Sequence, residues 1–290
     1  MSLHSYKYFI CLFLIALFNG CEKDVNNINL PPFEQKLVLA SFISPSDSVS
    51  YVFVSSNRRI YGELGAKEQT GIISGTISDG SHEIELDTAR YGLQVSRDKL
   101  KIEYGKPYTL NVISDKGLSA TATCVVPGRR EFNVTADTFS TPDPHVPTGY
   151  LQRRIDVRLS IMDIPGEENY YRIAGKGIGY ITNQHEGKQH IVSDIMRFEK
   201  EFFSDAGNDG KGIVIQTDYG LNYFYGHDSA FLEVYLFNTE KSYYLYHKSL
   251  ENYSGDENPF REASPVYSNV TGGLGIFTSY TVDTLVFRLK

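Results

Sequence analysis

Apolar and polar residues alternate along most of the chain with a period of two, a pattern typical of β-strands that bury one face. The clearest example is IDVRLSI, residues 155–161, in which every second residue is aliphatic. Several shorter segments show the same alternation or a run of β-branched and aromatic residues, which favour strands. They are residues 36–43, 49–55, 71–78, 81–87, 108–114, 118–126, 131–139, 170–174, 213–217, 231–237, 276–279 and 284–289.

Turn residues separate these strands and suggest antiparallel hairpins. Asp79-Gly80 is a strong hairpin signal between two predicted strands, and Asp115-Lys116-Gly117 predicts a second tight turn. Residues 141–149, TPDPHVPTG, carry three prolines and predict a loop. That loop either links two domains or connects two strands of the second domain. The second interpretation is favoured, because residues 131–139 already alternate like a strand.

One segment, residues 239–253, has helical rather than strand periodicity. Its apolar positions recur at spacings of three, four and three residues, which places them on one stripe of a helix. They are Tyr243, Tyr246, Leu250 and Tyr253. Asn238 or Thr239 is the predicted N-cap. Packing of the stripe against a sheet is favoured over a role for its tyrosines in ligand binding.

These elements predict a mainly β fold. Residues 33–127 end with GKPYTL, a hairpin and Val125-Val126-Pro127, a pattern that looks like the closing strands of an immunoglobulin-like module. We therefore predict an immunoglobulin-like β-sandwich over residues 33–127. A second antiparallel β domain carrying the one helix is predicted over residues 128–290.

The N-terminus predicts export and a lipid anchor. Residues 8–18 form an apolar run of 11 residues, too short for a membrane-spanning helix but suited to a signal sequence. Phe18-Asn19-Gly20-Cys21 resembles a bacterial lipobox, whose cysteine carries the lipid; a plain signal peptide with a chance cysteine is the alternative. We predict a signal peptide over residues 1–20, lipid attachment at Cys21 and a tether over residues 21–32.

The residues after Cys21 refine the predicted location. Glu22-Lys23-Asp24 resembles the export signal that directs lipoproteins of Bacteroidota to the outer leaflet of the outer membrane. We therefore expect a lipid-anchored protein of the outer membrane that faces the cell exterior. Once Cys21 is acylated and Cys11 is removed, only Cys124 remains, and its position on the apolar face of a strand predicts a buried thiol.

The charge balance narrows the choice of partners. The formal net charge is −7, and it becomes −8 without Lys7 of the signal peptide. An acidic chain without basic runs argues against nucleic acid as a partner. The chain has 21 Tyr, 17 Phe and no Trp, and tyrosine suits both strands and wet recognition surfaces.

Three motifs that could carry chemistry each depart from the pattern that the chemistry requires. His185 and His190 lie five residues apart, whereas a zinc-protease helix needs four, so a polar hairpin loop is the better interpretation. Residues 205–216 resemble a calcium loop, but the twelfth position is Gln216 instead of a bidentate carboxylate. The glycines at 272–275 lack the spacing of a phosphate-binding loop. We predict no catalytic residues, metal or cofactor.

The stretch YGLNYFYGHD, residues 219–228, is the candidate binding site that the sequence offers. It places four aromatic residues, a histidine and an aspartate between glycines, as in an exposed hairpin tip. The competing interpretation, a strand pair whose aromatic residues belong to the core, is favoured about two to one. The candidate ligand- or partner-binding residues are Asn222, Tyr223, Phe224, Tyr225, His227 and Asp228.

Several motifs occur in an order that resembles a known family. They are Phe203-Ser204-Asp205, the Tyr243-Tyr244-x-Tyr246 helix with Lys248-Ser249-Leu250, and NPFREASPVYSNVTGGLGIFTSY at 258–280. With the N-terminal module and the signal, they resemble the lipoproteins called domain of unknown function 4249. The resemblance implies an outer-membrane lipoprotein, often paired with a TonB-dependent receptor, and supplies no catalytic residues.

Two functions follow as expectations. The first is a non-enzymatic accessory or ligand-capture partner of a TonB-dependent transporter in nutrient uptake, binding a small molecule or peptide that the sequence does not name. The second is a structural or adhesive β-protein of the cell surface. An enzyme with scattered active-site residues is a distant third possibility.

Overall fold

The computed structural model describes residues 33–58, 70–130, 132–142, 151–183, 187–198, 200–220, 227–253 and 265–289. The described part is mainly β, with one helix, as predicted. The strands are β1 Leu37–Ile43, β2 Val49–Ser56, β3 Ile73–Ser78, β4 Glu83–Glu85, β5 Asp87–Ala89, β6 Gly92–Ser96, β7 Pro107–Ser114, β8 Ser119–Val125, β9 Phe132–Pro142, β10 Leu151–Met162, β11 Tyr170–Asn183, β12 Lys188–Met196, β13 Phe202–Ser204, β14 Gly212–Gly220, β15 Ser229–Thr239 and β16 Leu274–Arg288. The helix is α1, Lys241–Tyr253.

A nine-stranded sheet runs through both halves of the chain. Its order is β12-β11-β15-β16-β1-β2-β6-β5, and β13 also pairs with β11. Strand β16 makes this continuity possible, because it changes partner halfway. Its first part, Leu274 to Ser279, pairs in parallel with β1. Its second part, from Tyr280 to Arg288, pairs antiparallel with β15.

Two smaller antiparallel sheets cover the large sheet and enclose two separate cores. The sheet β4-β3-β7-β8 shares one core with β1, β2 and β6. The sheet β14-β10-β9 shares the other with β11 and β15. The period of two along β10 is the reason for this arrangement, since Ile155, Val157, Leu159 and Ile161 are all buried. Strands β9 and β10 pair directly, so the connection between them joins two strands of one sheet, as predicted. Thr141 and Pro142 of the predicted loop belong to β9, and the rest of that loop lies outside the described residues.

Helix α1 packs on the face of the large sheet that points away from the two cores. Phe42 of β1 and Arg172 of β11 alternate with core residues of their strands and so point to the helix side. The Tyr243 ring contacts the Phe42 ring at 5.6 Å between centroids. The predicted aromatic stripe therefore packs on the sheet at its first turns, whereas Tyr253 at its end is 55% exposed. The helix begins after Glu240, so Glu240 replaces the predicted N-cap at Asn238 or Thr239.

The last strand contributes to both halves of the molecule. Val270 and Phe277 lie in the first core, although they come from the last part of the chain. The described residues within 35–58 and 66–290 form one compact unit. The immunoglobulin-like arrangement of residues 33–127 and the boundary at residue 128 stay predictions. Among the described helical residues, no segment has the length and apolar character needed to span a bilayer.

Candidate functional site

The residues predicted to bind a lipid, ligand or partner fall mostly outside the described ranges. Cys21 does so, and so do Asn222, Tyr223, Phe224 and Tyr225. His227 and Asp228 are described, and they lie directly before β15. His227 is buried at 8% exposure. The Asp228 carboxylate accepts a hydrogen bond of 2.7 Å from the Thr182 backbone N–H, so this aspartate fastens the start of β15 to the end of β11.

The structure instead gathers exposed aromatic side chains on the outer face of the large sheet, at strand β2 and the β5–β6 turn. Tyr51 and Phe53 of β2 and Tyr91 of the β5–β6 turn are 48%, 52% and 63% exposed. Together with Arg90 they line an open cleft of about 180 Å³, which we name the aromatic cleft. Three of the six exposed aromatic residues in the described ranges therefore meet at one place. Soluble proteins seldom expose clustered apolar side chains without a binding role.

The alternation of β2 positions two of these rings. Val52 is buried in the first core, so Tyr51 and Phe53, its neighbours on either side, must point out of the sheet. Their ring centroids lie 6.5 Å apart, within the range of aromatic pairs.

Gly92 positions the third ring. The strands β5 and β6 are joined by a turn made of Arg90 and Tyr91, and Gly92 follows with φ at +148°. A Cβ at Gly92 would overlap the Val52 carbonyl oxygen, so only glycine lets β6 approach β2 this closely. The Val54 N–H then donates to the Tyr91 carbonyl at 3.2 Å, which holds Tyr91 beside Phe53.

Arg90 gives the cleft a positive charge. Its guanidinium carbon lies 5.1 Å from the centre of the Tyr91 ring, a cation–π distance. The side chain is exposed, and no carboxylate among the described residues forms an ion pair with it. The nearest acidic residue of β5, Asp87, is instead paired with Lys99 at 2.7 Å. The cleft therefore presents three rings and, beside the Tyr91 ring, one cation that has no carboxylate partner in the described part of the chain.

A second aromatic cluster lies between α1 and the sheet, but it is a packing cluster. The Arg172 guanidinium lies between the Phe202 and Phe237 rings, at 5.2 Å and 5.4 Å, and donates to the Tyr243 hydroxyl at 2.9 Å. His247 stacks on Phe202 with centroids 4.9 Å apart. Burial, reinforced by the charge of Arg172, lowers the pKa of His247 to about 4, so this imidazole is neutral at physiological pH.

Three carboxylates converge near the glycine-rich turn that resembles a calcium loop. The ligand atoms of Asp163, Asp205 and Asp209 all lie within 4.8 Å of one another. Each carboxylate already accepts a hydrogen bond. Asp163 accepts from the Tyr171 hydroxyl and the Gly210 N–H, both at 3.0 Å. Asp205 accepts from the Asn169 N–H at 2.9 Å, and Asp209 from the Gly166 N–H at 2.7 Å. These bonds give the three side chains a structural role, in tying two loops together.

Cys124 is a core residue, as predicted. It is 1% exposed and belongs to the first core. Burial raises the pKa of the Cys124 thiol, and the nearby Glu240 carboxylate adds to this effect. A raised pKa disfavours the nucleophilic thiolate, so Cys124 serves as a small apolar residue.

Sequence reasoning did not identify the aromatic cleft. One signal was present, because β2 carries bulky apolar side chains on both of its faces, with Val52 on one face and Tyr51 and Phe53 on the other. The second signal, Arg90-Tyr91-Gly92, lies about 40 positions further along the chain. The two come together only through the pairing of β2 with β6, in which Phe53 lies opposite Gly92.

Comparison with known proteins agrees with the resemblance seen in the motifs. No curated protein matches the chain. The profile of one protein family, described as a domain of unknown function (DUF4249), matches residues 23–285, which is most of the chain. This protein therefore belongs to the DUF4249 family.

Proposed function

We propose that this protein is a lipid-anchored, non-enzymatic binding protein of the outer membrane that captures ligand for a TonB-dependent transporter. The observation that carries ligand capture is the aromatic cleft, where three exposed rings line one open surface beside a guanidinium with no carboxylate partner among the described residues. Clefts with apolar walls and a few polar groups are typical ligand sites.

The groups in the cleft are suited to recognition. Tyrosine and phenylalanine rings provide flat apolar area at a small cost in side-chain entropy. The guanidinium of Arg90 stays charged at every physiological pH and binds anionic groups. These groups hold and orient a ligand, so the cleft supports binding as its function.

The proposed location rests on the N-terminal sequence. Gly20-Cys21 follows an apolar run and precedes Glu22-Lys23-Asp24. A diacylated cysteine anchors a protein stably, because two acyl chains contribute much more membrane affinity than one. Residues 21–32 would then act as the spacer between the membrane and β1.

Membrane fractionation of cells that produce Cys21→Ser tests the anchor. We expect this variant to leave the membrane fraction, because it lacks the acylated thiol. Cys11→Ser is the matched control, since Cys11 lies inside the predicted signal peptide, and it should stay with the membrane. If both variants fractionate like the wild type, the prediction of a lipid anchor at Cys21 is wrong.

A pull-down from native membranes in mild detergent tests the partner. We expect a β-barrel receptor to co-purify with the wild-type chain. Isolation of the chain without any barrel would overturn the transporter role and favour a structural or adhesive protein of the cell surface.

A further inference from the structure

The aromatic cleft combines ring surfaces with one positive charge, and this combination defines a class of ligand. We propose that the cleft binds small organic anions that have a flat apolar body, such as aromatic carboxylates or sulfonates. This inference rests on the proposed ligand-capture function and names its substrate class. The flat body would stack on Tyr51 and Phe53, and the anionic group would face Arg90.

The walls of the cleft favour an apolar body over a sugar. The backbone groups of β2 and β6 beside the cleft are engaged in pairing, with Val52 opposite Leu93 and Phe53 opposite Gly92. The Tyr91 carbonyl accepts from Val54. Among the described lining residues, the side-chain hydrogen-bonding groups are the Tyr51 and Tyr91 hydroxyls and the Arg90 guanidinium, which are few for the many hydroxyls of a carbohydrate. A planar ring needs no such partners and can stack on the exposed aromatic side chains.

The charge at the rim favours an anion. Arg90 lies over Tyr91 and has no carboxylate partner among the described residues, so an anion that binds there displaces no carboxylate of the described part of the chain. The net charge of the whole chain is −7, so its long-range field repels anions. The attraction must then come from Arg90 at short range, and it should depend strongly on this one side chain.

Fluorescence titration of the full mature chain with 8-anilinonaphthalene-1-sulfonate tests the proposal. This probe is an aromatic sulfonate, and N-phenyl-1-naphthylamine is its uncharged counterpart. We expect saturable binding of one sulfonate per chain. Arg90→Gln should weaken sulfonate binding about fivefold and leave the neutral probe unchanged, because a surface charge contact is worth about 1 kcal/mol. Tyr51→Ala and Phe53→Ala should weaken both probes.

Matched controls lie elsewhere on the surface. Arg197→Gln removes an exposed arginine, and Tyr104→Ala removes a tyrosine that is 53% exposed. Neither should change the affinity for either probe. Each variant is compared only if its thermal midpoint stays within about 3 °C of the wild type, which excludes partial unfolding as the source of probe binding.

Two results would overturn the proposal. One is a sulfonate affinity that Arg90→Gln leaves unchanged; the other is sulfonate binding that survives both Tyr51→Ala and Phe53→Ala. The membrane pull-down separates this failure from failure of the proposed function. If the chain co-purifies with a barrel but binds no sulfonate, the proposed transporter role stands and the proposed ligand class is wrong. If the chain binds the sulfonate but co-purifies with no barrel, the cleft is a binding site for such anions and the proposed transporter role is wrong.

Discussion

His247 shows how the packing of one residue changes its chemistry. The imidazole stacks on Phe202 and lies beside Tyr243, with centroids 4.9 Å and 4.5 Å away. Burial removes it from water, and Arg172 disfavours a second positive charge nearby, so the pKa of His247 falls to about 4. The same histidine in the unfolded chain has an ordinary pKa of 6.5.

This difference predicts a loss of stability in mild acid. Between about pH 6.5 and pH 4 the unfolded chain binds a proton at His247 that the folded chain does not, so the free energy of unfolding falls as the pH falls. Allowing for partial exposure of the ring, we expect a loss of about 1–2 kcal/mol across this window. His247→Phe keeps the stack and should remove this part of the pH dependence, measured by urea denaturation at several pH values.

A neighbouring carboxyl group also responds to acid, and its effect on stability has to be separated from that of His247. Burial raises the pKa of Glu240 at the start of the helix, which adds stability as the pH falls and so opposes the effect of His247. Glu240 contributes equally to the wild type and to His247→Phe, so the difference between their stability profiles reports His247 alone. Equal profiles for these two proteins would contradict the prediction.

At the scale of elements, the parallel pairing of β1 with β16 depends on one glycine. Gly275 lies opposite Leu39 and has φ at +106°. A Cβ at this position would overlap the Leu39 carbonyl oxygen, so any other residue must push the two strands apart. Because β16 is the strand that links β1 to β15 in the large sheet, this separation would weaken the connection between them.

We therefore expect Gly275→Ala to lower the free energy of unfolding by about 3 kcal/mol, through backbone strain and the clash together. Gly80→Ala is the matched control. Gly80 has φ at +85° but open space around it, so its loss should be about 1 kcal/mol. Urea denaturation measures both. Similar losses in the two variants would show that φ alone matters and that the contact with Leu39 does not.

Strong local patterns explain which elements could be predicted from the sequence. The alternation in β10 and the Asp79-Gly80 and Asp115-Lys116-Gly117 turns are local signals, and each element forms where predicted. The sequence pattern does not predict strand β6, because the alternation in GLQVS covers only the four residues from Leu93 to Ser96. It forms because Leu93 and Val95 bury their side chains in the first core, a contact that depends on distant residues.

Long-range pairing explains what the sequence did not reveal. The predicted strands at 276–279 and 284–289 are parts of one strand, β16, which extends across Tyr280 because β1 and β15 supply partners on opposite sides. The carboxylate cluster likewise depends on bringing Asp163 to Asp205, more than 40 positions away. The aromatic cleft belongs to the same class, since its two halves meet only after β2 pairs with β6.

On the scale of the whole molecule, β16 links the two cores because each of its two parts belongs to a different one. Its first half closes the first core through Phe277, which is fully buried, and its second half completes the sheet over the second core. Additional bonds cross between the halves. Asn238 of β15 donates to the Gly128 carbonyl at 2.6 Å, and the Ser279 hydroxyl donates to the Val125 carbonyl at 2.8 Å. Unfolding of one core should therefore expose the other.

Phe277→Ala tests this coupling. Loss of a buried phenylalanine typically costs about 3–5 kcal/mol, so we expect a large fall in the midpoint of urea unfolding. Because β16 belongs to both halves, hydrogen exchange should speed up together at amides of β7 in one half and β10 in the other. Phe139→Ala, at a ring that is 40% exposed, is the control and should change neither. Faster exchange in β7 alone, or two separate transitions, would mean that the two cores unfold independently and that β16 joins them without coupling them.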